Sequence, residues 1–206
     1  MRIHPTAIVE DGVLIGEGTS VWDSVHLRAP SRIGVDCIVG EKTYVAYGVE
    51  IGNRVKINAF VYLCTAVTIE DGVMISAGTV FTNDRFPRAT DPDLQQLRAS
   101  TPDETTLPTV VREGATIGAR CVIGCDLSIG RFAMIGMGSV VTRSIPDFHL
   151  AMGHPARSVG LVCRCGQPMA KFAPDQGPAD GEVACAACQR MYRVHDAEVT
   201  ESELQP

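Results

Sequence analysis

Apolar side chains recur at every sixth position along most of this chain. The series runs without a break from Ile3 to Phe81, and the same phase returns at Val111 and continues to Val141. Four places after each of them the side chain is small or β-branched in most repeats, as at Thr19 and Cys37. The apolar series comprises Ile3, Val9, Ile15, Val21, Leu27, Ile33, Val39, Val45, Ile51, Ile57, Leu63, Ile69, Ile75, Phe81, Val111, Ile117, Ile123, Ile129, Ile135 and Val141.

A period of six matches neither the turn of an α-helix nor the alternation of a single strand. Hexapeptides are the unit of one kind of parallel β-helix, in which each six residues form a short strand and a turn. Stacked coils then bury one continuous core, with the apolar residue inside and the small residue beside it. The pattern therefore predicts an all-β parallel β-helix over residues 1–160.

The repeat is interrupted by residues 82–110, TNDRFPRATDPDLQQLRASTPDETTLPTV, a polar stretch with four prolines. Val111 follows Phe81 by thirty residues, or five periods, so the coil phase survives the interruption. Within this loop the sequence predicts a short helix capped by Asp91, with Leu94 and Leu97 on one side. A loop of this length in a compact repeat is functional or disordered, and a tolerated surface insertion is the alternative.

Charge and composition argue against several classes of partner. The net charge is −6 and no Lys/Arg run is present, which disfavours a nucleic-acid or anionic-membrane partner. No apolar run approaches the roughly 18 residues of a membrane span, and the first residues lack the apolar stretch of a signal peptide. We therefore expect a cytoplasmic protein that binds neither nucleic acid nor membrane.

Four cysteines follow the repeat, in a C-x-C pair and a C-x-x-C pair separated by nineteen residues: Cys163, Cys165, Cys185 and Cys188. Two close pairs at this distance predict a four-thiolate zinc site. Such a site has no open coordination position, so its role would be structural, in a small zinc-ribbon-like module over residues 161–206. Iron in a rubredoxin-like site, a disulfide, or no metal are the alternatives.

The hexapeptide pattern over residues 3 to about 160 resembles the hexapeptide acyltransferases. The stretch ISAGTVFTNDRFPRA resembles N-acetyltransferases that act on the 3-amino group of nucleotide-linked sugars, and VWDSVHLR resembles their W-x-x-x-H segment. The stretch GHPARSVG resembles the end of the acyltransferase repeat in general. The resemblance implies a left-handed parallel β-helix of three-sided, 18-residue coils.

The resemblance also implies an activity and an assembly. The reaction would be acetyl transfer from acetyl-CoA to the 3-amino group of a UDP- or dTDP-linked amino sugar, in a bacterial cell-surface pathway such as lipopolysaccharide biosynthesis. The enzyme would be a homotrimer in which the inserted loop reaches a neighbouring subunit and helps to build the active site.

The candidate catalytic residues are Asn83 and His26. The Asn83 side-chain carbonyl can accept a hydrogen bond from the substrate amine and aim its lone pair, while His26 is the rival as general base. Asp84 could hold a sugar hydroxyl or act as a base, and the resemblance adds Trp22 to the substrate-binding residues. For Asn83 and Asp84 the alternative is a turn residue, and for His26 a structural or solvated histidine.

Arginine and glycine residues supply the remaining candidates. Arg85 and Arg88 suit the diphosphate of a nucleotide-linked sugar, with solvated loop charges as the alternative. The CoA track is expected beside the last coils, where Arg157 could meet a phosphate or simply belong to a terminating turn. The expected CoA-binding residues are Gly136, Met137, Gly138, Pro155, Ala156 and Arg157.

Other functions remain open at this level. An acyltransferase of the same fold could use another acceptor or another acyl group, and a trimeric β-helix could be a non-catalytic binding module. Zinc-dependent carbonic anhydrases of this fold need three coil histidines, and the repeat offers only His26 besides His4. The carbonic anhydrase hypothesis is therefore excluded, because the repeat has too few histidines to bind the zinc ion.

Overall fold

The computed structural model describes residues 1–173 and 176–202, and within these residues the chain forms strands and no helix. In chain order the strands are β1 (Arg2–Ile3), β2 (Ile8–Val9), β3 (Leu14–Ile15), β4 (Ser20–Val21), β5 (His26–Leu27), β6 (Arg32–Ile33), β7 (Ile38–Val39), β8 (Tyr44–Val45), β9 (Glu50–Ile51), β10 (Lys56–Ile57), β11 (Tyr62–Leu63), β12 (Val67–Ile69), β13 (Met74–Ile75), β14 (Val80–Phe81), β15 (Thr109–Val111), β16 (Thr116–Ile117), β17 (Val122–Ile123), β18 (Leu127–Ile129), β19 (Met134–Ile135), β20 (Val140–Val141), β21 (His149–Gly153), β22 (Ala156–Val162), β23 (Pro168–Lys171), β24 (Gly181–Ala184), β25 (Met191–His195) and β26 (Glu198–Glu201).

Three parallel sheets form the sides of a solenoid, because each short strand pairs with the strand three places further along the chain. Face 1 stacks β1, β4, β7, β10, β13, β16, β19 and β21; face 2 stacks β2, β5, β8, β11, β14, β17 and β20; face 3 stacks β3, β6, β9, β12, β15 and β18. Ile3 lies opposite Val21, one coil of 18 residues later. The predicted all-β architecture of stacked coils is confirmed.

The sixth-position series forms the core. From Val21 to Val141 every member of the series is buried, whereas Ile3, Val9 and Ile15 in the first coil keep partial exposure because no earlier coil covers them. The small residues of the repeat are buried beside this column. Several of the polar ones are satisfied locally, as a buried hydroxyl requires: the Thr19 hydroxyl donates to the Gly34 carbonyl oxygen at 2.8 Å. The Ser31 hydroxyl is an exception and has no partner among the described residues.

The inserted loop leaves one coil at the edge between faces 2 and 3 and returns to the same coil. It follows β14, and β15 then pairs with β12 on face 3, with Val111 opposite Ile69. The backbone N–H of Leu107 donates to the Asn83 carbonyl oxygen at 2.8 Å and closes the base of the loop. The phase inferred from the sequence is preserved because the coil continues beneath the loop.

The short helix expected from Asp91 is wrong. The Asp91 carboxylate accepts from the Gln95 N–H at 2.8 Å, and an antiparallel bridge between Thr90 and Leu97 closes a tight turn in place of a helix. Leu94 has a φ of 58°, in the left-handed region, and is 78% exposed. A helix this short depends on packing of its apolar face, and the solenoid offers these leucines no surface.

The solenoid ends in an antiparallel extension. Strand β21 pairs with β22, and β22 pairs with β23, so the face 1 sheet continues into the predicted cysteine module. A second, three-stranded sheet of β24, β25 and β26 follows. A separate apolar cluster joins them, in which Phe148 contacts Tyr192 with ring centroids 5.1 Å apart. Residues 174–175 and 203–206 of the predicted module lie outside the described residues.

Candidate functional site

Asn83 lies at the base of the inserted loop, where the chain leaves the solenoid. Its side-chain amide donates to the Thr65 carbonyl oxygen at 3.3 Å, one coil earlier at the same edge. This bond fixes the orientation of the amide. Within the described part of the chain the Asn83 side-chain carbonyl oxygen accepts no hydrogen bond, so that oxygen is available to a ligand.

The charged residues that follow Asn83 have different partners. The Asp84 carboxylate accepts from the Phe86 N–H at 2.7 Å, which is a local turn. The Arg85 guanidinium pairs with Asp126 at 2.9 Å across the edge of the solenoid. Arg88 donates to the Pro87 carbonyl oxygen at 3.1 Å and is exposed. The Asp84 and Arg85 side chains thus already have partners within the chain.

His26 stands on face 2 in a cluster of polar and aromatic side chains. Its Nε2 lies 3.1 Å from Glu10 Oε1, and the same carboxylate oxygen lies 2.6 Å from Arg28 Nε. The ring of Tyr44 meets the imidazole edge-on at 5.4 Å. Hydrogen bonds from the Ala29 N–H, from His26 and the charge of Arg28 keep the pKa of Glu10 below its ordinary value.

The bond to Glu10 determines which imidazole nitrogen can act as a base. A carboxylate accepts and does not donate, so the hydrogen lies on His26 Nε2 and the lone pair of the neutral ring lies on Nδ1. The sequence reasoning did not single out Glu10. Its signal was the coil length: Glu10 precedes Arg28 by 18 residues, so two opposite charges stack in register on adjacent coils.

The structure does not bring Asn83 and His26 together within one chain. Strands β5 and β14 are separated by three steps on face 2, which is about 14 Å at the usual strand spacing. The loop spans part of this gap, because the Tyr47 hydroxyl, in the third coil, donates to the Ser100 carbonyl oxygen at 3.1 Å. Tyr47 in turn lies 5.6 Å from the Arg28 guanidinium.

The expected CoA residues lie at the end of the solenoid. Gly136, Met137 and Gly138 form the edge between faces 1 and 2 in the last coil, and Met137 is exposed. A β-carbon on Gly136 would lie 2.8 Å from the Met152 β-carbon, so only glycine lets β21 stack this closely.

Pro155, Ala156 and Arg157 lie in the adjoining hairpin, where Arg157 is opposite Met152. The Gly153 N–H donates to the Ser139 hydroxyl oxygen at 3.1 Å and ties the hairpin to the last coil. Both parts of the expected track are therefore neighbours.

Trp22 shares the edge between faces 1 and 2 with Gly136 but stands on the second coil. Five strand steps separate β4 from β19 on face 1, about 24 Å. The Trp22 ring lies beneath the Arg2 guanidinium at 4.9 Å and borders a shallow groove with Gly40 and Ala59. Along the axis of the solenoid, Trp22 is thus closer to His26 than to the expected CoA residues.

The four predicted metal ligands converge. All four thiol sulfurs lie within 4.8 Å of one another, with Cys163 and Cys188 3.4 Å apart and Cys165 and Cys185 3.6 Å apart. Tetrahedral Zn–S bonds of about 2.3 Å require sulfur separations of about 3.8 Å. Backbone hydrogen bonds, first from Cys188, lower the pKa of the Cys185 thiol to about 6. The cluster could hold a metal ion.

None of the described residues forms a helix that is long and apolar enough to cross a membrane.

Comparisons with known proteins match the repeat. The family model described as bacterial transferase hexapeptide (six repeats) matches residues 48–83, and the hexapeptide repeat of succinyl-transferase matches residues 30–65 and 108–143. Repeats of these two families thus cover residues 30–83 and 108–143. Over 93 residues, 45% of this chain and 44% of the relative, it is 44% identical to a dTDP-3-amino-3,6-dideoxy-alpha-D-galactopyranose 3-N-acetyltransferase of Aneurinibacillus thermoaerophilus. The resemblance drawn from the sequence is confirmed.

One further curated relative and one solved structure match a larger share of this chain. The bifunctional protein GlmU of Carboxydothermus hydrogenoformans is 30% identical over 168 residues, 73% of this chain and 33% of the relative. The chain thus spans less than half the length of both curated relatives, the Aneurinibacillus acetyltransferase and GlmU. A variant of AntD, an N-acyltransferase from Bacillus cereus, in complex with dTDP and coenzyme A, has the same fold, with a TM-score of 0.62 at 18% identity over 77% of this chain and 91% of that chain.

Proposed function

We propose that the chain is an N-acetyltransferase that moves an acetyl group from acetyl-CoA to the 3-amino group of a UDP- or dTDP-linked amino sugar. The observation that carries the proposal is the F-T-N segment, Phe81 to Asn83, at the base of the loop. It interrupts an otherwise regular solenoid, and it leaves the Asn83 side-chain carbonyl oxygen oriented and available. The 44% identical relative, named as a 3-N-acetyltransferase of a dTDP-linked amino sugar, supports the same substrate class.

The reaction is a direct attack of the neutral amine on the thioester carbonyl. A C–N bond forms, the C–S bond breaks, and CoA leaves as the thiol after taking up a proton. Asn83 would accept a hydrogen bond from the amine and orient its lone pair, which is a contribution from positioning. His26 Nδ1 would accept the amine proton if a base is needed, while Glu10 holds the ring.

Acetyl-CoA would lie along the edge between faces 1 and 2. Gly136 to Gly138 would line its track, and Arg157 beside the hairpin turn would meet a CoA phosphate. Trp22, Asp84, Arg85 and Arg88 are proposed to contact the acceptor sugar or its diphosphate. The coils are proposed to be left-handed, as in the acyltransferases that the chain resembles.

A homotrimer would complete the site. Asn83 and His26 are about 14 Å apart within one chain, so one acceptor amine cannot touch both residues of the same chain. Large apolar side chains on the loop are exposed to solvent: Phe86 is 78% and Leu97 is 82% exposed. Contact of this loop with a neighbouring subunit would bury these side chains and could bring His26 of one chain near Asn83 of another.

The four cysteines are proposed to hold a structural zinc ion. The separation of their sulfurs suits tetrahedral thiolate coordination, and four thiolates leave no position for a substrate. The metal would stabilise the module of residues 161–206, whose separate apolar cluster is too small to fold without support. Metal analysis of the purified protein would distinguish zinc from iron in this site.

The test is release of free CoA thiol from acetyl-CoA in the presence of UDP- and dTDP-linked 3-amino and 4-amino sugars. Rapid release with a 3-amino sugar alone supports the proposal and identifies the nucleotide. If CoA binds but no acceptor on the panel reacts, the enzyme uses another acceptor or acyl group. If CoA does not bind, the chain is a binding module and not an acyltransferase.

A further inference from the structure

The inserted loop folds into a hairpin that has a cavity of its own. The Arg98 N–H donates to the Ala89 carbonyl oxygen at 3.0 Å, and the bridge between Thr90 and Leu97 follows directly. These contacts place Arg88 and Arg98 on facing branches of the hairpin. Both arginines line a cavity of about 600 Å³, within the range usual for small-molecule sites. Its lining residues are Arg88, Thr90, Asp91, Pro92, Leu94 and Arg98.

Two arginines and one carboxylate line this cavity, so its lining carries a net positive charge. Most arginines on the solenoid pair with a carboxylate, as Arg54 does with Asp71 and Arg112 does with Glu70. Among the described residues, neither Arg88 nor Arg98 forms an ion pair within 4 Å.

Two carboxylates of the loop accept hydrogen bonds from groups other than these arginines. Asp91 accepts from the Gln95 N–H at 2.8 Å, and Asp103 accepts from the Thr105 hydroxyl at 2.6 Å and the Thr105 N–H at 2.8 Å. Asp103 is close enough for the charge of Arg98 to lower its pKa, after the larger effect of Thr105, but the two do not pair.

Two guanidinium groups that line one cavity in a protein of net charge −6 indicate an anionic ligand. Like charges in a shared site repel, and an anion that bridges them removes the repulsion. Guanidinium groups bind phosphate oxygens through paired hydrogen bonds. Two of them can hold two adjacent phosphates, which is the geometry of a diphosphate. Because Pro92 and Leu94 also line the cavity, it offers an apolar surface to an organic group as well.

We propose that Arg88 and Arg98 together bind the diphosphate of the nucleotide-linked sugar, with Arg98 as a ligand equal to Arg88. The inference rests on the proposed function and deepens it. The backbone beside Arg98 is anchored to the third coil, because the Ser100 carbonyl oxygen, two residues later, accepts from the Tyr47 hydroxyl at 3.1 Å. Arg88 follows Asn83 by five residues on the outgoing branch. The amine-orienting residue and the diphosphate site thus belong to one loop.

CoA also carries a diphosphate, and the location of the loop favours the nucleotide sugar. The loop leaves the solenoid at the edge between faces 2 and 3, next to Asn83. The expected CoA residues, Gly136 and Arg157, lie at the edge between faces 1 and 2 and in its hairpin. A ligand that places its amine at Asn83 reaches the loop arginines without crossing face 2.

The test is calorimetric titration of the full chain with dTDP, UDP, CoA and inorganic pyrophosphate, together with KM values for the nucleotide sugar and acetyl-CoA. Arg88→Ala and Arg98→Ala should each weaken binding of the preferred nucleoside diphosphate about tenfold or more. The KM of the nucleotide sugar should rise similarly, with the KM of acetyl-CoA unchanged. Arg98→Lys should recover only part of the affinity, because an ammonium cannot bind two oxygens in one plane. Arg143→Ala, an exposed arginine outside the loop, is the matched control.

Three outcomes overturn the inference. They are unchanged nucleotide affinity in both alanine variants, a loss of CoA affinity in place of nucleotide affinity, and a wild-type chain that binds none of the four probes. Failure of the proposed function has a different signature. A chain that binds dTDP or UDP through both arginines but acetylates no amino sugar would support the anion site and exclude the reaction.

Discussion

Asn83 and His26 differ in what their surroundings allow them to do. Asn83 donates its amide hydrogen to Thr65, which leaves an acceptor oxygen for an amine. His26 is bound through Nε2 to Glu10, which leaves a basic Nδ1. An amine that is partly neutral at working pH needs orientation more than it needs a base, so Asn83 should matter more.

Asn83→Ala should lower turnover by about 100-fold, an effect comparable to loss of one oriented hydrogen-bonding group. His26→Ala should have a smaller effect, because the amine proton can pass to water or to the departing thiolate. Steady-state kinetics with the best acceptor would measure both, and unchanged CoA binding and unfolding temperature would show that each variant is folded. Equal, minor losses in the two variants would contradict both roles.

Removal of the Glu10 carboxylate should lower turnover while the protein stays folded. Glu10→Gln keeps the size of the side chain but removes the charge that holds the His26 ring and pairs with Arg28. If His26 acts as a base, kcat should fall about as far as in His26→Ala, because an amide can donate or accept at Nε2 and no longer fixes the lone pair on Nδ1. Glu50→Gln, which removes the partner of Arg32 on face 3, is the control and should leave kcat unchanged in the same steady-state assay.

At the level of strands, the junction between the solenoid and the cysteine module depends on a buried histidine. His149, in β21, is 4% exposed, and its Nδ1 lies 2.8 Å from the Ser158 hydroxyl of β22. Burial lowers the pKa of His149 below the ordinary value of 6.5, partly opposed by the charge of Asp147. Its Nε2 has no partner among the described residues.

The free energy of unfolding should therefore decrease as pH falls through about 6.5. Below that value the unfolded chain binds a proton at His149 that the folded chain binds less readily, so protons favour unfolding. Denaturant unfolding at pH 7.5 and pH 5.5 would measure the difference. His149→Gln should reduce this pH dependence, and an identical pH dependence in the variant would contradict the assignment.

Phe81 supports the strand from which the inserted loop departs. It is 1% exposed and ends β14, directly before Thr82 and Asn83 lead outward into the loop. Phe81→Ala should destabilise the protein by about 3–5 kcal/mol, because the cavity lies inside a closed coil that cannot collapse. Phe81→Leu fills most of that volume and should cost much less. Denaturant unfolding would measure both, and similar small losses would show that the coil collapses around the cavity.

At the level of the whole molecule, the solenoid and the cysteine module should respond differently to loss of metal. The purified chain should contain about one zinc ion per subunit, bound by four thiolates. Chelation, or Cys163→Ser with Cys188→Ser, should remove the metal and unfold the module, whereas the coils retain their strand spectrum. Metal analysis and circular dichroism would measure this. Cys125→Ser, outside the cluster, should keep the metal, and a metal-free wild type of equal stability would contradict the zinc proposal.

The amino-acid sequence alone determined the solenoid and its phase. A residue that recurs every six positions must point to the same interior, and an 18-residue coil then brings each strand beside its equivalent in the next coil. That regularity placed Val111 on Ile69 across the loop. The sequence alone also predicted the four-cysteine cluster, from the spacing of two close pairs of cysteines after the repeat.

Only the tertiary structure decided what the polar side chains do. The predicted helix at Asp91 is absent because its leucines have no surface to cover, and local propensity contains no term for a missing partner. Arg85 pairs with Asp126, 41 residues away, and Glu10 pairs with His26 and Arg28 of the next coil. Long-range pairs of this kind depend on the stacking of coils and on the path of a loop, and these also brought Arg88 and Arg98 to one cavity.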